Sequence, residues 1–238
     1  MRKIILSVLF VCAALMVSAQ DLRLPTVLGS GMVLQQNENV NIWGWAKPSA
    51  KISVEAQWLD KAVKTKADAD GKWVVTLPTP SASYQTYKIA VSDSKKTIQL
   101  DDVLIGEVWL CSGQSNMEMP VKGWGKVMNY EQELKDAAKY PKIRFLEVQR
   151  AVSPVPETEF KADADGWMVC SPETLEEFSS TAYFFGREVH LKKNVPIGLI
   201  NTSWGGTIIE AWMSRESLTG VESLEDEAAR DTPCPGCP

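Results

Sequence analysis

Histidine is nearly missing from this sequence: of 238 residues one, His190, is a histidine. Cysteine is sparse as well, with Cys12, Cys111, Cys170, Cys234 and Cys237. The pair in Cys234-Pro235-Gly236-Cys237 has the spacing of a redox or zinc knuckle, but no second close pair and no nearby histidine accompanies it. A metal centre is therefore not expected, and a tail closed by a disulfide or left irregular is the simpler reading. No block of lysine or arginine occurs, which disfavours a nucleic-acid partner, since phosphate binding needs a concentrated basic surface. Nor is there an apolar run of the roughly 20 residues that span a bilayer. The longest, Ile4 to Val17, is shorter and contains Ser7.

That run follows Met1-Arg2-Lys3 and ends in Val17-Ser18-Ala19, the layout of an export leader cleaved after Ala19. A secreted or periplasmic protein with no stable membrane span after cleavage is the expectation. Loss of residues 1–19 shifts the net charge from −5 to −7. Once Cys12 leaves with the leader, four cysteines allow three disulfide pairings, and the sequence does not choose among them.

From Leu22 to about Leu104, short runs rich in Val, Ile, Thr and Trp alternate apolar and polar residues. Val40–Trp45, Lys51–Trp58, Lys72–Leu77, Tyr87–Val91 and Lys96–Leu100 read as half-buried strands, and no long amphipathic helix interrupts them. A small antiparallel β-sandwich over residues 20–102 is expected, with a barrel as the alternative. Asp70-Gly71 and Asp165-Gly166, each inside a Lys-Ala-Asp-Ala-Asp-Gly hexapeptide, read as hairpin turns leading into strands.

The pattern changes after Asp101-Asp102. Val103 to Leu110 is an apolar run of buried-strand type, Asn129 to Tyr140 a helix stopped by Pro141, and Ile143 to Val148 a strand. A helix capped by Ser179 or Ser180 runs to about Lys193, and Ile197 to Asn201 is another strand. Strands alternating with helices indicate an α/β fold with a parallel sheet over residues 103–220, whose chemistry should sit at the strand C-termini. Residues 221–238 form an acidic, Cys-Pro-containing tail.

Two segments carry candidate chemistry. In Leu110-Cys111-Ser112-Gly113-Gln114-Ser115-Asn116-Met117, a serine follows directly on a buried strand, and the amides after it are free to face an oxyanion. Met117 stands where an α/β-hydrolase elbow requires glycine, so that family is set aside. In Ile200-Asn201-Thr202-Ser203-Trp204-Gly205-Gly206-Thr207, paired glycines after a strand let the backbone approach a ligand closely.

Together with Phe184-Phe185-Gly186-Arg187-Glu188, Val195-Pro196-Ile197-Gly198-Leu199, Glu210-Ala211-Trp212 and Gly31-Met32-Val33-Leu34-Gln35-Gln36, these segments resemble the sialate O-acetylesterase family of SGNH-type serine esterases. The resemblance runs from Leu22 to about Leu218. It implies a β-sandwich joined to a flavodoxin-like SGNH domain, here C-terminally incomplete, that hydrolyses O-acetyl esters of sialic acid or other sugars through an acyl-serine, without a cofactor. It further implies Ser115 as nucleophile, the amides of Ser115 and of Gly205 or Gly206 as oxyanion donors, Gln114 and Asn116 as shapers of the nucleophile loop, and Glu210 as a supporting residue. Ile208 stands where similar sequences often carry proline. The family's Asp-x-x-His base is absent from this sequence, and His190 reads as a packing residue. A serine without a base is a poor nucleophile, so turnover several powers of ten below a complete site is expected. The reading frame from Thr232 to Pro238 departs from the family pattern, as a truncated or frameshifted gene would. The alternative is a glycan-binding or structural fragment that holds a sugar without cleaving it.

Overall fold

A computed structural model describes residues 21–219 apart from Trp124 and Pro154. The expected leader, the tail 221–238 and the Cys234/Cys237 pair lie outside the described residues. The elements run β1 (Val33–Gln35), β2 (Asn39–Trp45), β3 (Lys51–Ala56), β4 (Val63–Lys66), β5 (Lys72–Pro78), β6 (Ser83–Ser92), β7 (Thr97–Gly113), α1 (Ser115–Glu118), α2 (Tyr130–Ala137) and β8 (Ile143–Glu147). They continue with β9 (Met168–Val169), α3 (Pro172–Glu176), α4 (Ser180–Lys193), β10 (Ile197–Ser203) and α5 (Arg215–Leu218).

One mixed sheet has the order β4-β3-β6-β7-β10-β8-β9, with β1 added to β7, and a separate ribbon pairs β2 with β5. In β5 alternate residues are buried, the pattern of a strand with one face on a core and one in water. Ile42, Trp73, Val75 and Leu77 of the ribbon share a core with Ile52, Val54, Ile89, Val91 and Val103 of the larger sheet. The Asp70-Gly71 turn does lead into β5, but it carries the chain from β4 in one sheet to β5 in the other. It is therefore not a hairpin: β4 pairs with β3, and β5 with β2.

The two strands expected on either side of Asp101-Asp102 are a single strand, β7, of 17 residues. Asp102 adopts a left-handed backbone (φ 55°) within it, which turns the strand without ending it, and its carboxylate takes a 2.6 Å ion pair from the buried Arg144. β7 pairs antiparallel with β6 as far as Ile105, and in parallel with β10 from Glu107 onward.

β7, β10 and β8 run parallel. Ile143, Phe145, Ile197 and Leu199 face α4 in a second core with Phe178 and Tyr183, where the Phe145 and Phe178 rings stack at 4.1 Å. The N-cap of α4 is Ser179, whose Oγ accepts from Ala182 N, and Asn194 ends the helix in the left-handed region. Gly186 lets α4 lie against Leu199, where any Cβ would overlap the leucine side chain. Among the described residues no helix is long and apolar enough to cross a membrane.

Candidate active site

β7 and β10 finish side by side, with Ser203 in register with Gly113, and Trp204 N–H donating to Gly113 C=O at 3.0 Å. The two candidate segments thus meet at the C-terminal edge of the parallel strands. Gly113 has φ 152°, a conformation open chiefly to glycine, and it turns the chain from β7 into α1.

α1 is only four residues long, so its carbonyls need partners from outside the helix. Three consecutive hydroxyls at the start of α4 supply them: Ser179 Oγ donates to Met117 C=O (2.5 Å), Ser180 Oγ to Met119 C=O (2.9 Å) and Thr181 Oγ1 to Asn116 C=O (2.7 Å). The Ser115 loop is fixed by a helix more than sixty residues away in sequence. Ser179 or Ser180 reads in the sequence as a helix cap alone, and this second task of the three hydroxyls was not legible there.

Ser115 Oγ stands 3.3 Å from the point where a Cβ on Gly205 would be, and Glu118 Oε2 lies closer still to the same point. Any side chain at 205 would therefore displace one of them. Glu118 Oε2 accepts the Gly205 N–H at 2.6 Å, and its other oxygen pairs with Arg150. Gly205 N–H is consequently engaged, whereas Gly206 N–H and the first amides of α1, those of Ser115 and Asn116, carry no hydrogen bond among the described residues. Glu118 is a site residue that sequence reading missed: its contact with Gly205 closes a gap of 87 residues.

Gln114 Nε2 donates to Thr207 C=O at 3.2 Å and ties the two loops together. Asn116 has an exposed side chain and contributes its carbonyl to Thr181. Glu210 lies on a 3-10 turn, Ile209–Trp212, with no side-chain hydrogen bond or ion pair to the Ser115 loop among the described residues.

His190 lies at the far end. Its Nδ1 is 2.7 Å from Val195 C=O, ahead of β10, and its ring packs against Tyr84 and Tyr140. The seven residues of β10 separate that end from Ser203, roughly 20 Å at the usual strand rise. His190 is a packing residue at that position.

Next to the serine corner, Glu147 at the end of β8 accepts from Asn201 Nδ2 with both oxygens, at 2.8 and 2.9 Å. Burial pushes its carboxyl up to about 7, against the lowering effect of Asn201. Cys111 is buried beside it, and burial followed by the Glu147 charge pushes the thiol up to about 11. A thiol kept neutral in this way is a poor nucleophile. Cys111 and Cys170 are both free. Among the described residues no cluster of His, Cys, Asp and Glu could hold a metal ion.

A family profile described as carbohydrate esterase, sialic acid-specific acetylesterase matches residues 105–226. The chain is 34% identical to human sialate O-acetylesterase over 214 residues, covering 82% of this chain and 39% of that protein. With the mouse sialate O-acetylesterase it is 31% identical over 221 residues, 86% of this chain and 40% of the relative. A crystal structure of a novel carbohydrate acetylesterase from Xanthomonas citri superimposes with a TM-score of 0.76 at 34% identity, covering 84% of this chain and 44% of that one. The chain thus spans about two fifths of the length of these relatives. The profile matches half of the residues and includes both loops that meet at Ser115, and on that ground the chain belongs to the sialic acid-specific acetylesterase family of carbohydrate esterases.

Proposed function

We propose that Ser115 is the acyl-accepting nucleophile of a sugar O-acetylesterase. The observation that carries this reading is the approach of Ser115 Oγ to the Gly205-Gly206 turn at the end of two parallel strands, with unpartnered amides at Gly206 and at the start of α1. In the acyl step Oγ bonds to the acetyl carbon, its proton passes to a base, and the carbonyl oxygen becomes an anion facing those amides. The sugar then leaves as an alcohol, taking up a proton, and water releases acetate from the serine.

The Gly205 amide joins the oxyanion donors only when Glu118 gives it up. In the arrangement described here the Glu118 carboxylate holds that amide, so Gly206 and the head of α1 are the better candidates. Gln114 holds the two loops together, Asn116 lies on the open side of α1, and Glu210 takes no part in the proton transfer.

His190 is at the wrong end of β10 to serve as the base, so the residues present are expected to acylate slowly and to turn over slower still. That same observation favours a second reading, a glycan-binding chain without turnover. Export to the periplasm or the medium is proposed on the Met1–Ala19 pattern.

The two readings separate on exposure of the full chain to an aryl acetate, followed by peptide mass spectrometry. One acetyl group on the peptide containing Ser115, lost in Ser115→Ala, supports the nucleophile. Equal labelling of the variant, or none in either protein, leaves the binding reading in its place.

A further inference from the structure

Beside the Ser115 corner lies a cleft of about 840 Å³, lined by Trp204, Trp212, Phe160, Val148, Thr202 and Arg150 among others. We propose that this cleft holds the sugar ring of the substrate, with the ring's apolar face on the tryptophans and its acetyl group directed to Ser115. The proposal rests on the esterase reading for the last clause only.

Five features argue for it. The volume suits a sugar or two, within the range of small-ligand pockets. The lining combines aromatic faces with hydroxyl and guanidinium donors and with the carboxylates of Glu157 and Glu159 as acceptors, as a ligand with both C–H faces and hydroxyl groups requires. The cleft adjoins the nucleophile through the chain itself, since Trp204 is one residue from Gly205, which stands against Ser115 Oγ. Arg150 lies over the Trp204 ring at 5.9 Å and pairs with Glu118, so a ligand reaching Arg150 touches the group that occupies the Gly205 amide.

The fifth feature is that Trp212 is fixed while part of its ring faces solvent. It is 42% exposed, a large fraction for a tryptophan. Yet its Nε1–H donates to Thr207 Oγ1 at 2.8 Å, and that hydroxyl donates to Trp204 C=O at 2.7 Å. Thr207 is itself buried, and its carbonyl takes the Gln114 amide. A single threonine therefore sets the position of Trp212 relative to the turn beside the serine, so the wall is preorganised at no cost during binding. Thr207 is a positioning residue.

The test is equilibrium binding to the full chain carrying Ser115→Ala, so that no ligand is consumed. The probes are a neutral O-acetylated methyl xyloside and the methyl glycoside of an O-acetylated sialic acid. Trp212→Ala is expected to weaken both by roughly tenfold or more, the scale of losing a buried aromatic anchor. Trp43→Ala, which removes an exposed tryptophan from β2, is expected to leave both unchanged. Thr207→Val should weaken binding and Thr207→Ser restore it, which a role in folding alone would not produce once unfolding curves match. Binding that survives Trp212→Ala but is lost in Trp43→Ala overturns the proposal, as does no binding of either sugar by the parent. Acetyl labelling of Ser115 is read separately in chains with Ser115 intact. Labelling retained in Trp212→Ala with sugar affinity lost supports the cleft, whereas labelling absent everywhere with sugar affinity intact sinks the esterase reading alone.

Discussion

The two halves of β7 make different bargains with water. Before Gly106 the strand has β6 along one edge and, at Leu104–Gly106, β1 along the other, and Val103, Leu104 and Ile105 are completely buried. After Gly106 it has β10 on one edge only among the described residues, and Trp109 and Leu110 are 41% and 68% exposed. At the changeover a Cβ on Gly106 would overlap the Pro196 carbonyl, so glycine is what lets β7 exchange neighbours there. The first half is built to be stable. The second presents a loop, and it does so with fewer contacts and with buried polar groups close by.

The sharpest way to break this contrast is Ile105→Ala. Truncating a fully buried isoleucine with neighbours on every side should lower the unfolding free energy by about 3 kcal/mol in urea titration. A loss under 1 kcal/mol would mean that the first half is not the anchor.

A smaller effect sharpens the other side. Burial raises the Glu147 carboxyl from an ordinary 4.5 to about 7, so the folded chain keeps a proton that the unfolded chain releases. The stability this contributes is complete below about pH 4.5 and fades as pH rises through 7. Glu147→Gln cannot ionise, and its amide can donate to Asn201 Oδ1, a buried oxygen that has no partner among the described residues. The variant should be more stable than the parent at pH 8 and show a flatter profile between pH 5 and 7 in thermal unfolding. An unchanged slope would place the pH sensitivity elsewhere. Leu110→Ser should have the least effect, within about 0.5 kcal/mol, because the side chain is already in water. A cost as large as that of Ile105→Ala would erase the difference between the halves.

How much of this could be read from residues follows the same division. Strict alternation marked β2, β3 and β5, because a half-buried strand writes its burial into the sequence with period two. Four of the five β8 residues are buried, Arg144 among them, so that strand has no period of two and was legible from its mostly apolar residues instead. Asp101-Asp102 looked like a break because two aspartates rarely continue a strand. Arg144, distant in sequence, is what makes the left-handed Asp102 tolerable inside one. β1, β4 and β9 were missed, since strands of two to four residues carry too little period.

At the site, Ser115 and the glycine pair were legible as residues that follow strands. The hydroxyl triad of α4, the hold of Glu118 on Gly205 and the Thr207 strut were not. Each joins backbone or side chains whose proximity exists only after the parallel strands have aligned.

The 17 residues of β7 form one continuous strand, turned at Asp102, with a contour length of roughly 55 Å. Its hydrogen bonds to β6 at one end and to β10 at the other leave no place for a hinge between the strand-rich portion and the serine corner. Swinging one portion against the other would mean tearing ladder bonds, so whatever grips the first portion also aims the second. Adjustment to a ligand has to come from the short spans beyond Gly113 and Ser203.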